Sequence, residues 1–167
     1  MIDIRHVYQT FGDRHILKDV SLSIKEGETM VILGASGSGK STLLKLIIGL
    51  LRPTSGRVLV NGKNMGQLSE EELNEERRSM GMVFQYSALF DSLNVKENVA
   101  FGLRMHTRLS EEKIDAIVKE KLHLVGLDGI EDLMPANLSG GMKKRVSLAR
   151  AIALEPKIIL YDEPTAG

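Results

Sequence analysis

The stretch Gly34-Ala35-Ser36-Gly37-Ser38-Gly39-Lys40-Ser41-Thr42 decides the fold. Gly34, Gly39, Lys40 and Ser41 stand at the fixed places of the pattern G-x-x-x-x-G-K-[ST]. Glycines at this spacing let consecutive backbone N–H groups turn inward on a phosphate chain, which side chains would otherwise shield. The run before it, residues 30–33 (MVIL), is short and continuously apolar, the signal of a parallel strand buried on both faces. The pattern after it predicts a helix over residues 39–51, ended by Arg52-Pro53. A helix starting there adds the positive end of its dipole to the loop. Ala35, Ser36, Gly37, Ser38 and Thr42 complete the cradle. Lys40 would reach the β- and γ-phosphates of a bound nucleotide, and the Ser41 hydroxyl would ligate Mg²⁺.

Outward from this loop, residues 2–7, 16–24 and 57–60 alternate apolar with polar side chains, the last before the turn Asn61-Gly62. They are predicted strands of an antiparallel sheet with one wet face. Residues 82–84 and 158–161 repeat the short apolar signal of buried parallel strands. Ser69 and Glu72 form a capping box that opens a short charged helix, whose run through Arg78 reads as a solvated face. Between residues 87 and 137 no buried strand is expected. Ser110 caps a helix with Ile114, Ile117, Val118 and Leu122 on one stripe and Gly126 as its stop. This stretch reads as a helical lobe inserted into an α/β core. The strand at 158–161 ends in Asp162-Glu163, which puts Asp162 near Mg²⁺ through water and Glu163 where it could polarise an attacking water.

Composition narrows the classes. A chain of 167 residues forms one domain with a real core or two joined lobes, and 43% apolar with 26% charged residues is a globular mixture. Lys and Arg number 22, as do Asp and Glu, so net charge makes no case for nucleic acid or an anionic membrane. The absence of cysteine excludes disulfides and thiolate metal sites. The first 13 residues are charged and alternating, unlike a signal peptide, and the longest apolar run is broken by Lys45 and Gly49. A cytosolic protein, or one held at a membrane by other subunits, is expected. His6, His15, His106 and His123 show no ligand spacing and read as surface residues.

The phosphate loop, Gln85 at the end of GMVFQ, LSGG before a helix and IILYDEP occur in that order. Together they resemble the ATP-binding subunit of an ABC transporter over the whole chain. The resemblance implies an α/β fold: a P-loop NTPase core with a mainly parallel sheet, an N-terminal antiparallel β-subdomain and an inserted α-helical subdomain. The core would take residues 1–86 and 140–167, and the helical subdomain residues 87–139. Gln85 resembles the family glutamine that touches Mg²⁺ or the catalytic water, which makes Glu163, Gln85 and Lys40 the expected catalytic set and Ser41, Gln85 and Asp162 the expected metal set. Phe11 stands where the family stacks an aromatic on adenine, with Tyr8 as the other candidate and packing in the sheet as the plain alternative. Leu138, Ser139, Gly140, Gly141 and Met142 resemble the signature that closes over the nucleotide of a second, head-to-tail subunit. One chain would then hold half of each of two sites.

Two departures refine the resemblance. Met142 replaces the family's usual glutamine, and LSGGMKKRVSLARAIALEPKI resembles the ATPases of Mla-type phospholipid transport. The chain stops at DEPTAG, where the family continues with a dimer loop and a switch histidine, so a truncated and inactive domain is expected. The implied partners are a second ATP-binding subunit, membrane permease subunits and an MCE-type substrate-binding protein. The implied cofactors are ATP and Mg²⁺, and the implied location is the cytoplasmic side of the inner membrane. The alternatives are the ATPase of another bacterial importer or a soluble ABC ATPase. Against the latter, residues 86–137 hold no sustained heptads and the balanced charge does not favour nucleic acid.

Overall fold

Alternating residues near the start of the chain form strands, as their period of two requires. β1 (Ile2–Phe11) lies between β2 (Arg14–Ile24) and β3 (Ser55–Val60), with β4 (Lys63–Asn64) outside β3, all antiparallel. Ile2 pairs with Val60 and Ile4 with Val58, and these four, with Val7, are buried on one face. Asn61 and Gly62 turn β3 into β4 with φ of 50° and 83°, the left-handed pair that matches strand twist. The computed structural model describes residues 2–162, and the chain divides into two units, 1–77 and 78–167.

Helix α1 (Lys40–Ile47) follows the glycine loop and buries Leu43, Leu46 and Ile47. It ends sooner than Arg52-Pro53 suggests. Gly49, at φ 73°, lets the chain reverse, so that Leu50 N donates to Lys45 O at 2.8 Å and Gly49 N to Leu46 O at 3.2 Å. The terminal carbonyls are thereby satisfied before the proline is reached. α2 (Glu70–Arg77) opens with the expected box: Ser69 N donates to Glu72 Oε2 at 2.8 Å and Glu72 N to Ser69 Oγ at 3.3 Å.

Two expectations are corrected in this unit. The charged end of α2 is not simply solvated. Glu76 is buried beside Leu73 and accepts from Lys63 Nζ at 2.5 Å, while Arg77 donates to Ile48 O at 3.0 Å and Gly49 O at 2.8 Å. Arg77 thus supplies donors to the C-terminal end of α1, where carbonyls and the negative dipole end favour a cation. Residues 30–33 form no ladder with any described strand, and Val31 and Leu33 are 70% and 88% exposed. Apolarity states a demand for burial, but a parallel strand's partners come from distant segments that the run itself does not specify.

In the second unit β5 (Met80–Val83) and β6 (Ile158–Tyr161) pair in parallel, Met80 opposite Ile158 and Val83 opposite Tyr161. β6 is not buried on both faces: Leu160 is covered, whereas Ile159 and Tyr161 are 39% and 44% exposed among the described residues. α3 (Val95–His106), α4 (Glu111–Leu124) and α5 (Gly140–Ile152) share one apolar core. That core includes the predicted stripe of Ile114, Val118 and Leu122, with Ile117 packed on it. Ser110 precedes α4 with extended backbone but makes no side-chain cap bond, and Gly126 ends the helix at φ 67°. His6 and His123 sit at the surface, each with Nδ1 within hydrogen-bond distance of a carboxylate, Asp19 at 2.8 Å and Asp128 at 3.0 Å.

Two polar side chains of this unit, Asn98 and Ser147, are fully buried, and Asn98 is the one held by a set of hydrogen bonds. Asn98 of α3 accepts from Phe90 N at 2.8 Å and donates to Phe90 O, Leu93 O and Asn94 O at 3.1, 2.9 and 3.0 Å. It splints the segment that leads into α3. Asn98→Ala removes these partners where water cannot replace them, and a loss of about 2–4 kcal/mol is expected. Urea denaturation should show a lower midpoint with an unchanged m-value.

Candidate functional site

The phosphate loop runs from Gly34 to the start of α1. Gly39 occupies the N-cap with φ 98°, and Gly37 has φ 77°. A Cβ on Gly39 would lie 2.7 Å from Leu17 Cδ2, and one on Gly34 would lie 2.6 Å from Ser38 Oγ. The chain's own backbone therefore demands glycine at Gly37 and Gly39, whose φ lies in the left-handed region, while at Gly34 the Ser38 hydroxyl would have to turn aside for a Cβ. Ser38 N donates to Ala35 O at 3.2 Å and closes the arc. The Lys40 ammonium bends back over it, donating to Gly34 O at 3.0 Å and Ala35 O at 3.1 Å. Ser36 and Gly37 are exposed, while Ser41 and Thr42, in the first turn of α1, are half-buried. The arrangement offers an anion a cation, a helix start and a ring of backbone donors together.

In the same unit Phe11 is the last residue of β1, opposite Arg14 across the turn Gly12-Asp13, and is 47% exposed. Tyr8, opposite Ser55, is also exposed. Neither ring is committed to the core.

The second unit brings Gln85 and Asp162 to one edge. Asp162 N donates to Val83 O at 3.0 Å, extending the parallel ladder, and Gln85 stands just beyond the end of β5 in the turn closed by Ser87 N to Phe84 O at 3.1 Å. Both residues thus lie at the carboxyl ends of adjacent parallel strands, where open α/β sheets hold their ligands. Glu163 lies outside the described residues.

Ser139 caps α5, its Oγ accepting from Met142 N at 3.2 Å, and Leu138 is buried in the helical core. Gly140 and Gly141 are exposed, neither has positive φ, and a Cβ on either would meet nothing within 4 Å. Among the described residues nothing requires glycine there. Met142 packs against the helical core, which accounts for an apolar residue at that position. The other end of α5 is seated on β5, since a Cβ on Gly81 would lie 2.5 Å from Ala151 O. At 1.5 Å per residue, Ser139 stands about 16 Å along the helix from Arg150. The signature turn and Arg150 are therefore held toward opposite ends of one rod.

Sequence reasoning missed Arg150. Its guanidinium donates to Ala88 O at 2.8 Å and Ser87 O at 3.1 Å, just beyond Gln85, and burial pushes its pKa down. The available signal was a charge four residues after buried Val146, on the apolar face of α5.

A model of the ABC transporter family matches residues 17–166. The intermembrane phospholipid transport system ATP-binding protein MlaF of Haemophilus influenzae is 48% identical over 167 residues, covering 100% of this chain and 63% of that protein. Protein TRIGALACTOSYLDIACYLGLYCEROL 3, chloroplastic, of Arabidopsis thaliana is 49% identical over 175 residues, covering 100% of this chain and 50% of that protein. The chain thus spans half to about three-fifths of the length of these curated relatives. Among solved structures, the ATP-binding cassette MJ0796 in a dimeric post-hydrolysis state with ADP and Pi superimposes with a TM-score of 0.92 at 39% identity, covering 99% of this chain and 75% of that one.

The open space at the signature glycines has a measurable consequence. Alanine is a better helix former than glycine by up to about 1 kcal/mol, and its methyl group meets no neighbour at position 141. Gly141→Ala is therefore expected to raise stability by about 0.5–1 kcal/mol, read as a higher urea midpoint.

Proposed function

The chain belongs to the ABC transporter family, and from that premise we propose that it binds and hydrolyses ATP to drive membrane subunits of a phospholipid transporter. The observation that carries the nucleotide reading is the arc from Gly34 to Gly39 with the Lys40 ammonium folded 3.0–3.1 Å from its carbonyls. This is one polyvalent anion site, with its cation on a stem able to swing outward. In this reading Lys40 moves from those carbonyls to the β- and γ-phosphates, and the backbone N–H groups of residues 35–42 take the remaining oxygens. Phe11, exposed at the β1 turn, offers a face for adenine.

Ser41, Gln85 and Asp162 supply a hydroxyl, an amide and a carboxylate, all hard oxygen donors that suit Mg²⁺. When bound there, Mg²⁺ would neutralise charge developing on the β- and γ-phosphate oxygens. Glu163 is proposed to take a proton from water as that water attacks the γ-phosphorus, the β–γ bridging bond breaks, and ADP and phosphate leave. Ser139, Gly140 and Gly141 would present the start of α5 to the γ-phosphate held by a second copy. The clear space around both glycines supports that use, because a close-approaching group needs it. Gly141→Ala should then lose turnover while gaining stability.

The phospholipid reading rests on the likeness to MlaF, named for intermembrane phospholipid transport, at 48% identity. No described helix is long and apolar enough to cross a membrane, so permease subunits are proposed to supply the passage, with an MCE-type protein delivering lipid. The protein would sit peripherally on the cytoplasmic face of the inner membrane through them. A helical subdomain of residues 87–139, whose core also takes in side chains of α5, and the flanking segments 1–86 and 140–167 are the proposed division of labour between permease contact and nucleotide chemistry.

Lys40→Ala removes the mobile cation and leaves the backbone donors, so ATP affinity should fall by about 10- to 150-fold, the equivalent of about 1.5–3 kcal/mol for a charge-assisted contact. Calorimetric titration at near wild-type affinity would overturn the nucleotide assignment. In the complex with its membrane subunits, Glu163→Gln should keep ATP binding while turnover drops about 100- to 10,000-fold. The paired state should then persist in ATP on gel filtration, and normal hydrolysis by this variant would show that Glu163 is not the base.

A further inference from the structure

The segment after Gln85 is bent by two consecutive non-glycine residues in the left-handed region, Ser87 at φ 54° and Ala88 at φ 45°. A Cβ makes that conformation unfavourable, so such a bend persists only where its surroundings hold it. Arg150 holds it directly, one guanidinium nitrogen donating to Ala88 O at 2.8 Å and the other to Ser87 O at 3.1 Å. The same group lies 5.8 Å from the centre of the Phe90 ring, which in turn packs on Phe101 at 4.7 Å. Downstream, Asn98 fixes both the N–H and the carbonyl of Phe90. The bend is therefore clamped from α5 on one side and from α3 on the other.

We infer that Arg150 is a positioning residue for the proposed hydrolysis: its fork on the Ser87 and Ala88 carbonyls sets where Gln85 stands and ties it to helix α5. The inference rests on the ATPase reading above and extends it. A planar guanidinium reaches two carbonyls at once, which an ammonium does not do in the same fixed geometry. α5 begins at Ser139, about 16 Å away along the rod, so any motion of the signature end carries the bend beyond Gln85 with it. Lys40 donates to Gly34 O and Ala35 O, whereas Arg150 donates to Ala88 O and Ser87 O, so the two cations hold different loops.

The test is steady-state ATP hydrolysis by the protein assembled with its membrane subunits, comparing wild type, Arg150→Ala, Arg150→Lys, Gln85→Ala and the double variant Arg150→Ala with Gln85→Ala. Arg150→Ala should lower kcat about tenfold or more while KM for MgATP stays within about threefold. Arg150→Lys should fall between it and wild type. In the Gln85→Ala background, Arg150→Ala should cost less than about twofold further, because both changes act on one loop. Losses that multiply independently, or a raised KM at unchanged kcat, would overturn the inference while leaving the ATPase reading intact. If Arg150→Ala does not fold, Arg150→Lys carries the comparison, and wild-type kcat in the lysine variant overturns the inference. A wild-type complex with no ATP turnover overturns the ATPase reading and this inference with it.

Discussion

Helix α5 lies so close to β5 that a single added methyl at Gly81 would sit 2.5 Å from the Ala151 carbonyl and 3.0 Å from Pro156 Cγ. The organisation of the second unit depends on that approach. With the end of α5 seated on the strand, Val146 and Ala149 reach the core they share with α3 and α4. One turn earlier, Arg145 reaches Val125 O and Gly126 O at 3.3 and 3.1 Å, where the carbonyl end of α4 needs donors. Beyond the helix, Lys157 N and Ile158 N donate to Ser79 O at 2.9 and 3.2 Å, which starts β6 in register with β5. That register brings Asp162 and Gln85 to one edge. A larger residue at position 81 would thus disturb packing, helix capping and strand pairing together, because one contact supports all three.

Much of this was legible in the sequence, and the successes share a cause: they are local. Alternation over residues 2–7 and 16–24 produced β1 and β2, and Asn61-Gly62 produced the turn into β4. The box of Ser69 and Glu72 formed as written, and the glycine loop led into α1 at Lys40. One failure involves groups far apart in the chain, and the other a local signal. Residues 30–33 are as apolar as a buried strand yet have no ladder among the described residues, because apolarity does not name a partner. α1 stopped at Ile48 because Gly49 satisfied its carbonyls, a local signal that the more conspicuous Pro53 concealed.

The residues that sequence reasoning missed have a common pattern. Glu76 follows buried Leu73 by three positions, Asn98 follows buried Val95 by three, and Arg150 follows buried Val146 by four. Each is a polar side chain on an apolar helical face, where desolvation would cost several kcal/mol without a partner. Each has one: an ammonium for Glu76, four backbone bonds for Asn98, two carbonyls for Arg150. Periodicity identifies the face and hence the anomaly. It does not identify the waiting group, which for Arg150 lies 62 and 63 residues away. A charge run read as a solvated face should therefore be tested position by position against the buried stripe.

The two glycine-rich helix starts differ in what the glycines are for. At α1 the chain itself needs them, since Gly37 and Gly39 have left-handed backbone and Leu17 crowds a Cβ at Gly39, and the Lys40 ammonium is already folded over the loop. At α5 the N-cap bond from Met142 N to Ser139 Oγ is made, yet Gly140 and Gly141 have empty space around them and ordinary backbone angles. Glycine there sacrifices up to about 1 kcal/mol of helix propensity per residue with no return among the described residues. A sacrifice without an internal beneficiary points to an external one, and a helix start with exposed N–H groups favours an anion. The first has an ammonium folded over its loop and the second an N-cap hydroxyl with exposed glycines, which supports the proposal that the first holds a phosphate chain and the second closes over one already held. That asymmetry supports the proposed sharing of each nucleotide by two copies.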